Sequence, residues 1–323
     1  MTYLADLLAS RPADIPASLP DGTRIVLHGE GLLAIEPARP LFDLFISSGI
    51  HGNETAPIEL AARLLDDVLN GLLTARARIL FAFGNPEAMR RNERYLDDDL
   101  NRLFGKPAAQ TGDGPAAQRA RELEAVCQAF FAASAERWKL HYDLHTAIRG
   151  SKIEKFAIYP YPHETAFDRD EIARLAACGI SAVLLQSKTS PTFSYFTRRH
   201  CGAHGFTLEL GKARPFGHNE SVDVTALEAE LRRLIEGERR QYEKPMPALF
   251  RVAREVTKQT EDFRLHLADD VENFMELAPG FVLAEDGGAR FVIEEEGARI
   301  VFPNPKVKPG LRAGIVVVPA RLD

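Results

Sequence analysis

Six short apolar runs, interleaved with segments of helical periodicity, constrain this chain more than any other feature. The runs are LFDLFISS at 41–48, ARILFAF at 77–83, KLHYDL at 139–144, FAIY at 156–159, AVLL at 182–185 and FTLEL at 206–210. Each is too short for a core helix and is bounded by Gly, Pro or charged residues, so each reads as a strand. Between them, IELAARLLDDVLNGLL after Pro57, the stretch 116–135 and a segment near 168–178 carry apolar residues at helical spacing. A strand buried on both faces shows a near-continuous apolar run rather than alternation, and alternating strands and helices build a largely parallel sheet flanked by helices. Ligand sites in such α/β sheets gather outside the carboxyl ends of the strands. The polar clusters HGNE, GNP, DLHT and TLELG all lie at or just after strand ends, which places them at one address.

The remainder falls around this frame. Segments 23–27 and 31–35 suggest an early hairpin. Residues 85–104 form a densely charged loop, and 105–115 a Gly/Pro/Ala-rich linker. A charged helix is expected over 224–242, followed by the linker Lys244-Pro-Met-Pro. From Leu249 the texture changes to short β-like runs (249–257, 281–283, 290–293, 299–302, 314–318) broken by Gly and Pro. The expected organisation is therefore a catalytic-type α/β domain over 1–244 and a small, mostly β domain over 245–323. With 323 residues, 45% of them hydrophobic, the chain can bury a full-sized core.

The formal net charge of −6 disfavours binding to nucleic acid or to an anionic membrane surface. The basic run Arg90-Arg91-Asn92-Glu93-Arg94 is interleaved and followed by acids, which argues against a nucleic-acid patch. No apolar stretch approaches the roughly 18 residues of a membrane span, and no secretory leader is recognisable. Cys127, Cys178 and Cys201 are odd in number and widely spaced, as expected for reduced thiols. A cytoplasmic enzyme of small molecules is the expectation, and a homo-oligomer is compatible with it.

His51 and Glu54, three residues apart after a strand, can aim a nitrogen and an oxygen at one centre. A catalytic zinc takes three such protein ligands and keeps a fourth position open. Alone, the pair is more often a solvated loop. His145, at the end of a different strand, is a candidate third ligand, with His141 and Asp143 as alternatives; strand alternation puts Asp143 on the face of His145, where it could orient the ring. Glu209 sits inside an apolar strand, where a carboxylate is costly to bury. It is either turned outward on an edge or acts as a general base. In the run from Arg94 to Arg102, arginine suits bidentate carboxylate binding and Asn101 a supporting hydrogen bond, although a mixed charge run is most often a solvated face.

Taken together and in order, HGNETAP, GNPEAMRRNERYLDDDLNRLF, HYDLHTAIRGS and TLELGKARPFG resemble the succinylglutamate desuccinylase/aspartoacylase family, a branch of the zinc carboxypeptidase-like hydrolases. The likeness runs from about Leu41 to Gly217, and HGNETAP, DLHTAIRGS and ELGKARPFG are closer to the succinylglutamate enzymes than to the aspartoacylases. The resemblance implies a zinc carboxypeptidase-like fold, a mixed, largely parallel sheet flanked by helices, and one zinc ion held by His51, Glu54 and His145. It makes Glu209 the general base and then the general acid, Arg94 a group that polarises the scissile carbonyl, and Asn101 and Arg102 a pair that grips a substrate carboxylate. The implied reaction splits N-succinylglutamate into succinate and glutamate, the final step of arginine breakdown by the succinyl route. That substrate carries three carboxylates, so Arg149, Lys152, Lys212 and Arg214, adjacent to the motifs, are further candidates for binding it. Two rival readings remain: a sibling hydrolase of another N-acyl amino acid, and a non-catalytic zinc or ligand-binding protein on the same fold. A binding protein has no need of a carboxylate at Glu209.

Overall fold

The strand runs form where the apolar pattern places them. The computed structural model describes residues 2–163, 165–242 and 245–322. Its elements are, in order, α1 (Tyr3–Leu8), β1 (Arg24–Gly29), β2 (Leu32–Glu36), β3 (Asp43–Ser48), α2 (Thr55–Leu69), β4 (Arg78–Phe83), α3 (Pro86–Arg91), α4 (Ala108–Thr111), α5 (Pro115–Ala132) and β5 (Lys139–Ala147). There follow β6 (Phe156–Tyr159), α6 (Arg169–Ala177), β7 (Ala182–Leu185), α7 (Phe193–Cys201), β8 (His204–Lys212) and α8 (Thr225–Ile235). The C-terminal part adds β9 (Ala248–Thr257), β10 (Arg264–Leu265), β11 (Met275–Glu276), β12 (Val282–Asp286), β13 (Ala289–Val292), β14 (Arg299–Val301) and β15 (Arg312–Pro319).

A twelve-stranded mixed sheet in the order β1-β2-β4-β3-β5-β8-β6-β7-β9-β15-β14-β11 is the backbone of the molecule. Its centre is parallel: β4 with β3, β3 with β5, β5 with β8. Alternation along the central strands divides the core between the two faces. Leu44 and Ile46 of β3, with Ile79 and Phe81 of β4, pack on one side with α2 and α8, whose apolar stripes include Leu64, Val68, Leu231 and Leu234. Phe45, Leu80 and Ala82 face the other side and meet Phe130 and Phe131 of α5 and Phe193 and Phe196 of α7. Helices therefore cover both faces, and all six residues of β3 are buried.

The sheet is mixed, as the family resemblance implies: strand β6 runs antiparallel to β8 while remaining parallel to β7, so the sheet reverses beside its parallel centre. The structure departs from the local sequence expectation in three places. The helix expected over 224–242 ends at Ile235; Gly237, with φ +83°, takes the left-handed conformation that closes a helix, and its N–H returns to the Leu234 carbonyl. The Lys244 end of the proposed linker lies outside the described residues. Helices α3 and α4 arise within segments read as a loop and a linker, and α7 within a stretch given no assignment. The C-terminal strands are not all set apart: β9 pairs in parallel with β7, so β9, β15, β14 and β11 extend the main sheet, and only β10, β12 and β13 form a separate one among the described residues.

Candidate metal and substrate site

The carboxyl ends of β3, β5 and β8 supply one half of the site. Parallel register sets His145 of β5 beside Glu209 of β8, and Asp143 beside Thr207. The other half comes from loops. His51 follows β3, and Glu54 occupies the N-cap of α2 without capping it; its carboxylate turns toward the histidines instead. The positive end of the helix favours a negative charge there. Gly52 allows the loop to close. A side chain at this position would place its Cβ 2.2 Å from the Ala88 carbonyl carbon and 2.3 Å from the Met89 nitrogen, both main-chain atoms of α3. The Gly52 N–H also donates to the Arg94 carbonyl at 3.1 Å, pinning the His51 loop to the arginine-bearing loop.

Glu54 is the hub. Its Oε1 lies 2.8 Å from His51 Nδ1 and accepts from Arg94 Nη1 at 2.6 Å. Its Oε2 lies 2.8 Å from His145 Nδ1 and accepts the Thr146 N–H at 3.1 Å. His51, Glu54 and His145 are all buried, with ligand atoms within 4.8 Å of one another, and together they can hold a metal ion. The far nitrogen of each ring meets a carboxylate: His145 Nε2 and Asp143 Oδ2 are 3.0 Å apart, and His51 Nε2 and Asp99 Oδ1 are 3.0 Å apart. A carboxylate on the outer nitrogen fixes the tautomer and leaves the inner nitrogen free to ligate. A second cluster, Asp168, Glu171 and His204, has similar proximity. There, however, Glu171 is committed to Arg174 and Trp138, and Asp168 caps α6.

Electrostatics follow from this packing. Burial opposes ionisation of Glu54, but the imidazoles of His51 and His145 outweigh it and hold its carboxyl well below the ordinary range. His145 is likewise driven up, against burial, by Asp143 and Glu54. A cation must displace the proton that this environment favours on His145 before that ring can ligate it. Glu209 behaves oppositely. Burial, reinforced by the charge of Glu54, pushes its carboxyl up to about 7, and its Oε2 is buried with no protein hydrogen-bond partner among the described residues. The alternative of an outward-facing edge residue is excluded, since Glu209 is 8% exposed on an interior strand.

His141 lies outside the cluster. Its Nδ1 meets Thr197 Oγ1 and its Nε2 meets Ser47 Oγ, each at 2.8 Å, and its ring stacks on Phe45. Burial lowers its pKa to about 4. Ser47 in turn donates to Asp143 at 2.6 Å, so His141 braces the carboxylate that holds His145.

Asn101 and Arg102 sit in a single 3-10 turn, Leu100–Arg102, capped by Asp99. Asn101 is buried and its Oδ1 accepts the Phe193 N–H at 2.9 Å, which anchors the start of α7. Arg102 is half exposed and donates to the Asn101 carbonyl at 2.8 Å. Of the four additional cations, Arg149 donates to the Asp269 carbonyl and Lys152 pairs with Glu272 at 2.8 Å, both partners from the C-terminal part. Lys212 and Arg214 are exposed, without a side-chain partner among the described residues. Two residues close to the predicted site residues went unread in the sequence. Asp99 was one acid among three in a charge run, and nothing local marked it. Arg312 of β15 lies close enough to Arg102 that, after burial, the Arg102 charge further lowers its pKa. It belongs to a segment that carried no motif.

The mixed sheet, the His–Glu–His cluster at its strand ends, which can hold a metal ion, and the buried carboxylate beside it are the parts of a hydrolase. The chain belongs to the succinylglutamate desuccinylase/aspartoacylase family: residues 40–235 match the succinylglutamate desuccinylase/aspartoacylase catalytic domain, and 246–320 the AstE/AspA barrel-sandwich hybrid domain. A succinylglutamate desuccinylase of Pseudomonas aeruginosa is 56% identical over 309 residues, covering 94% of this chain and 92% of that protein. The crystal structure of the succinylglutamate desuccinylase of Chromobacterium violaceum superposes with a TM-score of 0.88 at 44% identity, over 99% of this chain and 98% of the other. That of Vibrio parahaemolyticus gives 0.91 at 31% identity, over 99% and 96%.

Proposed function

We propose that the protein hydrolyses N-succinyl-L-glutamate to succinate and L-glutamate, the final step of arginine breakdown by the succinyl route, with one zinc ion held by His51, Glu54 and His145. The observation that carries this reading is the buried Glu209 carboxyl, without a partner at Oε2 among the described residues and in register with His145. Two imidazoles and one carboxylate are a donor set that suits zinc, and carboxypeptidase A is a known precedent for a catalytic zinc held in this way. When bound, zinc supplies Lewis acidity toward the acyl carbonyl and toward water.

The protein groups then divide the work. Glu209, with a carboxyl near neutrality, takes a proton from the attacking water and returns it to the leaving amine nitrogen. Arg94, beside Glu54, places a cation where negative charge develops on the carbonyl oxygen. Arg102, with the remaining Asn101 amide, receives a substrate carboxylate. Lys212 and Arg214 are cations available for the other two, and Arg312, paired with Glu255 at 3.4 Å, adds positive charge near Arg102. On this reading residues 1–244 form the catalytic domain, and the 245–323 domain contributes Arg312.

The test is an assay of purified protein with N-succinylglutamate and N-acetylaspartate, before and after chelation, beside metal analysis of the native protein and of His145→Ala. About one zinc per chain, lost in His145→Ala, and turnover of N-succinylglutamate abolished by chelator are expected. Preference for N-acetylaspartate would move the protein to the sibling activity. Full metal content in His145→Ala would remove that residue from the ligand set.

A further inference from the structure

The segment that follows β8 is tied to the helix that begins beside Glu54. It carries Lys212 and Arg214 just past Glu209, both exposed and without a side-chain partner among the described residues. Thr55, the first residue of α2, donates its hydroxyl to the Arg214 carbonyl at 2.7 Å. One turn along α2, Glu59 accepts the Gly217 N–H on Oε1 at 2.7 Å and the Asn219 amide on Oε2 at 3.0 Å. The same Asn219 nitrogen donates to Thr55 Oγ1 at 2.8 Å. At its start the segment is also held to the end of β5, where the Ala213 N–H donates to the Ala147 carbonyl at 2.9 Å. We propose that Glu59 is a positioning residue that, with Asn219, latches the Lys212–Asn219 loop onto α2 and so holds Lys212 and Arg214 to receive the acyl-end carboxylate of the substrate.

This inference rests on the substrate assignment above. The latch has a defined polarity. Thr55 gives its own proton to the Arg214 carbonyl, so toward Asn219 it can only accept, and the ionised Glu59 carboxylate accepts as well. Asn219 must therefore turn its NH2 group to both, and its Oδ1 is left buried with no hydrogen-bond partner among the described residues. The Glu59 bonds are charge-assisted and grip the loop at two points, Gly217 and Asn219. Because Thr55 directly follows Glu54, the main chain at Arg214 is held next to the candidate metal ligands. In a chain of net charge −6, two unpaired cations beside Glu209 supply the local positive charge that a carboxylate needs. The acyl carboxylate is the group that N-succinylglutamate has and N-acetylaspartate lacks. ELGKARPFG, the motif with Lys212 and Arg214, is among those that place this chain nearer the succinylglutamate enzymes.

The experiment has two arms. Hydrogen–deuterium exchange of the 212–219 amides, without substrate, compares wild type with Glu59→Ala. Steady-state constants for N-succinylglutamate, and the inhibition constant of N-acetylglutamate, which lacks the acyl carboxylate, are then measured for Glu59→Ala, for Lys212→Ala/Arg214→Ala and for all three substitutions together. Glu59→Ala should speed exchange of the loop amides and raise KM by about 2- to 10-fold, the weight of one hydrogen bond. It should leave kcat, zinc content and inhibition by N-acetylglutamate near their wild-type values. Removing both cations should raise KM further, and adding Glu59→Ala to that variant should change nothing more, since a positioning residue acts only through the groups it positions. Wild-type exchange in Glu59→Ala overturns the latch. Equal weakening of N-acetylglutamate, or an effect that adds to loss of the cations, overturns the link to the acyl carboxylate. Loss of zinc overturns it too, by showing that Glu59 acts through Glu54. Should Glu59→Ala fail to fold, Asn219→Ala, which removes the donor from the loop side, takes its place under the same criteria. Failure of the wild-type protein to turn over N-succinylglutamate would count against the proposed substrate, and the exchange arm would still decide the latch.

Discussion

The strand-borne and loop-borne halves of the site are built by different physics. Asp143, His145 and Glu209 hang from β5 and β8, where a parallel hydrogen-bond ladder fixes which residues stand side by side. A one-residue slip would turn all of them to the other face, so the buried apolar neighbours Leu144, Leu208 and Leu210 also specify the site. His51, Glu54, Arg94, Asp99 and Arg102 instead hang from loops. They are placed by hydrogen bonds between segments far apart in sequence and by one close backbone approach at Gly52. The strand half is positioned by the core, and the loop half by its own polar contacts. The first should therefore tolerate loss of a functional group without rearranging, and the second should not.

The sharpest separation is expected at Glu209. Glu209→Gln keeps the size but cannot accept the proton, and it relieves the cost of a buried carboxyl, so the variant should fold and retain zinc. Its kcat should fall by about 10²- to 10⁴-fold, the weight of a positioned acid/base. Loss of zinc would show Glu209 to be a ligand, and near-normal turnover would leave the attacking water without its base. In the loop half, Arg102→Ala should act on substrate capture. A charge-assisted hydrogen bond is worth about 1.5–3 kcal/mol, which is roughly a 10- to 100-fold rise in KM if the contact is equal in ground and transition states. Unchanged steady-state constants would show that Arg102 does not touch substrate. The smallest effect should appear at Gly52. Gly52→Ala forces a methyl group against the Ala88–Met89 backbone and should lower the unfolding free energy by about 1–3 kcal/mol in a denaturant titration, with weaker zinc retention. Wild-type stability and zinc content in that variant would erase the distinction between the halves.

Much of the frame is legible in the order of residues alone. The apolar runs at 156–159 and 182–185 coincide with β6 and β7, and the other four fall within a few residues of their strands, because burial on both faces keeps most of their positions apolar. Helix α7 is not legible in that way. Phe193 and Phe196 pack against Phe104, and Asn101 binds its first N–H, so distant residues that local periodicity does not register support this nine-residue segment. The antiparallel placement of β6 is equally hidden, since strand direction leaves no trace in an apolar run of four residues.

The sequence by itself determined the residue types at the strand ends, and the ordered motifs carried the family and its chemistry. Neither could show that Glu209 is buried without a partner for Oε2 among the described residues, that Asp99 and Asp143 each stand on the outer nitrogen of one histidine, or that Arg312 reaches the field of Arg102. Apart from the short step from Asp143 to His145, those facts depend on the proximity of residues far apart in the chain, such as His51 beside Asp99 and Arg312 within the field of Arg102. Only closure of the sheet brings such residues together, because hydrogen bonding and charge act over ångströms of space and carry no signature in the spacing along the chain.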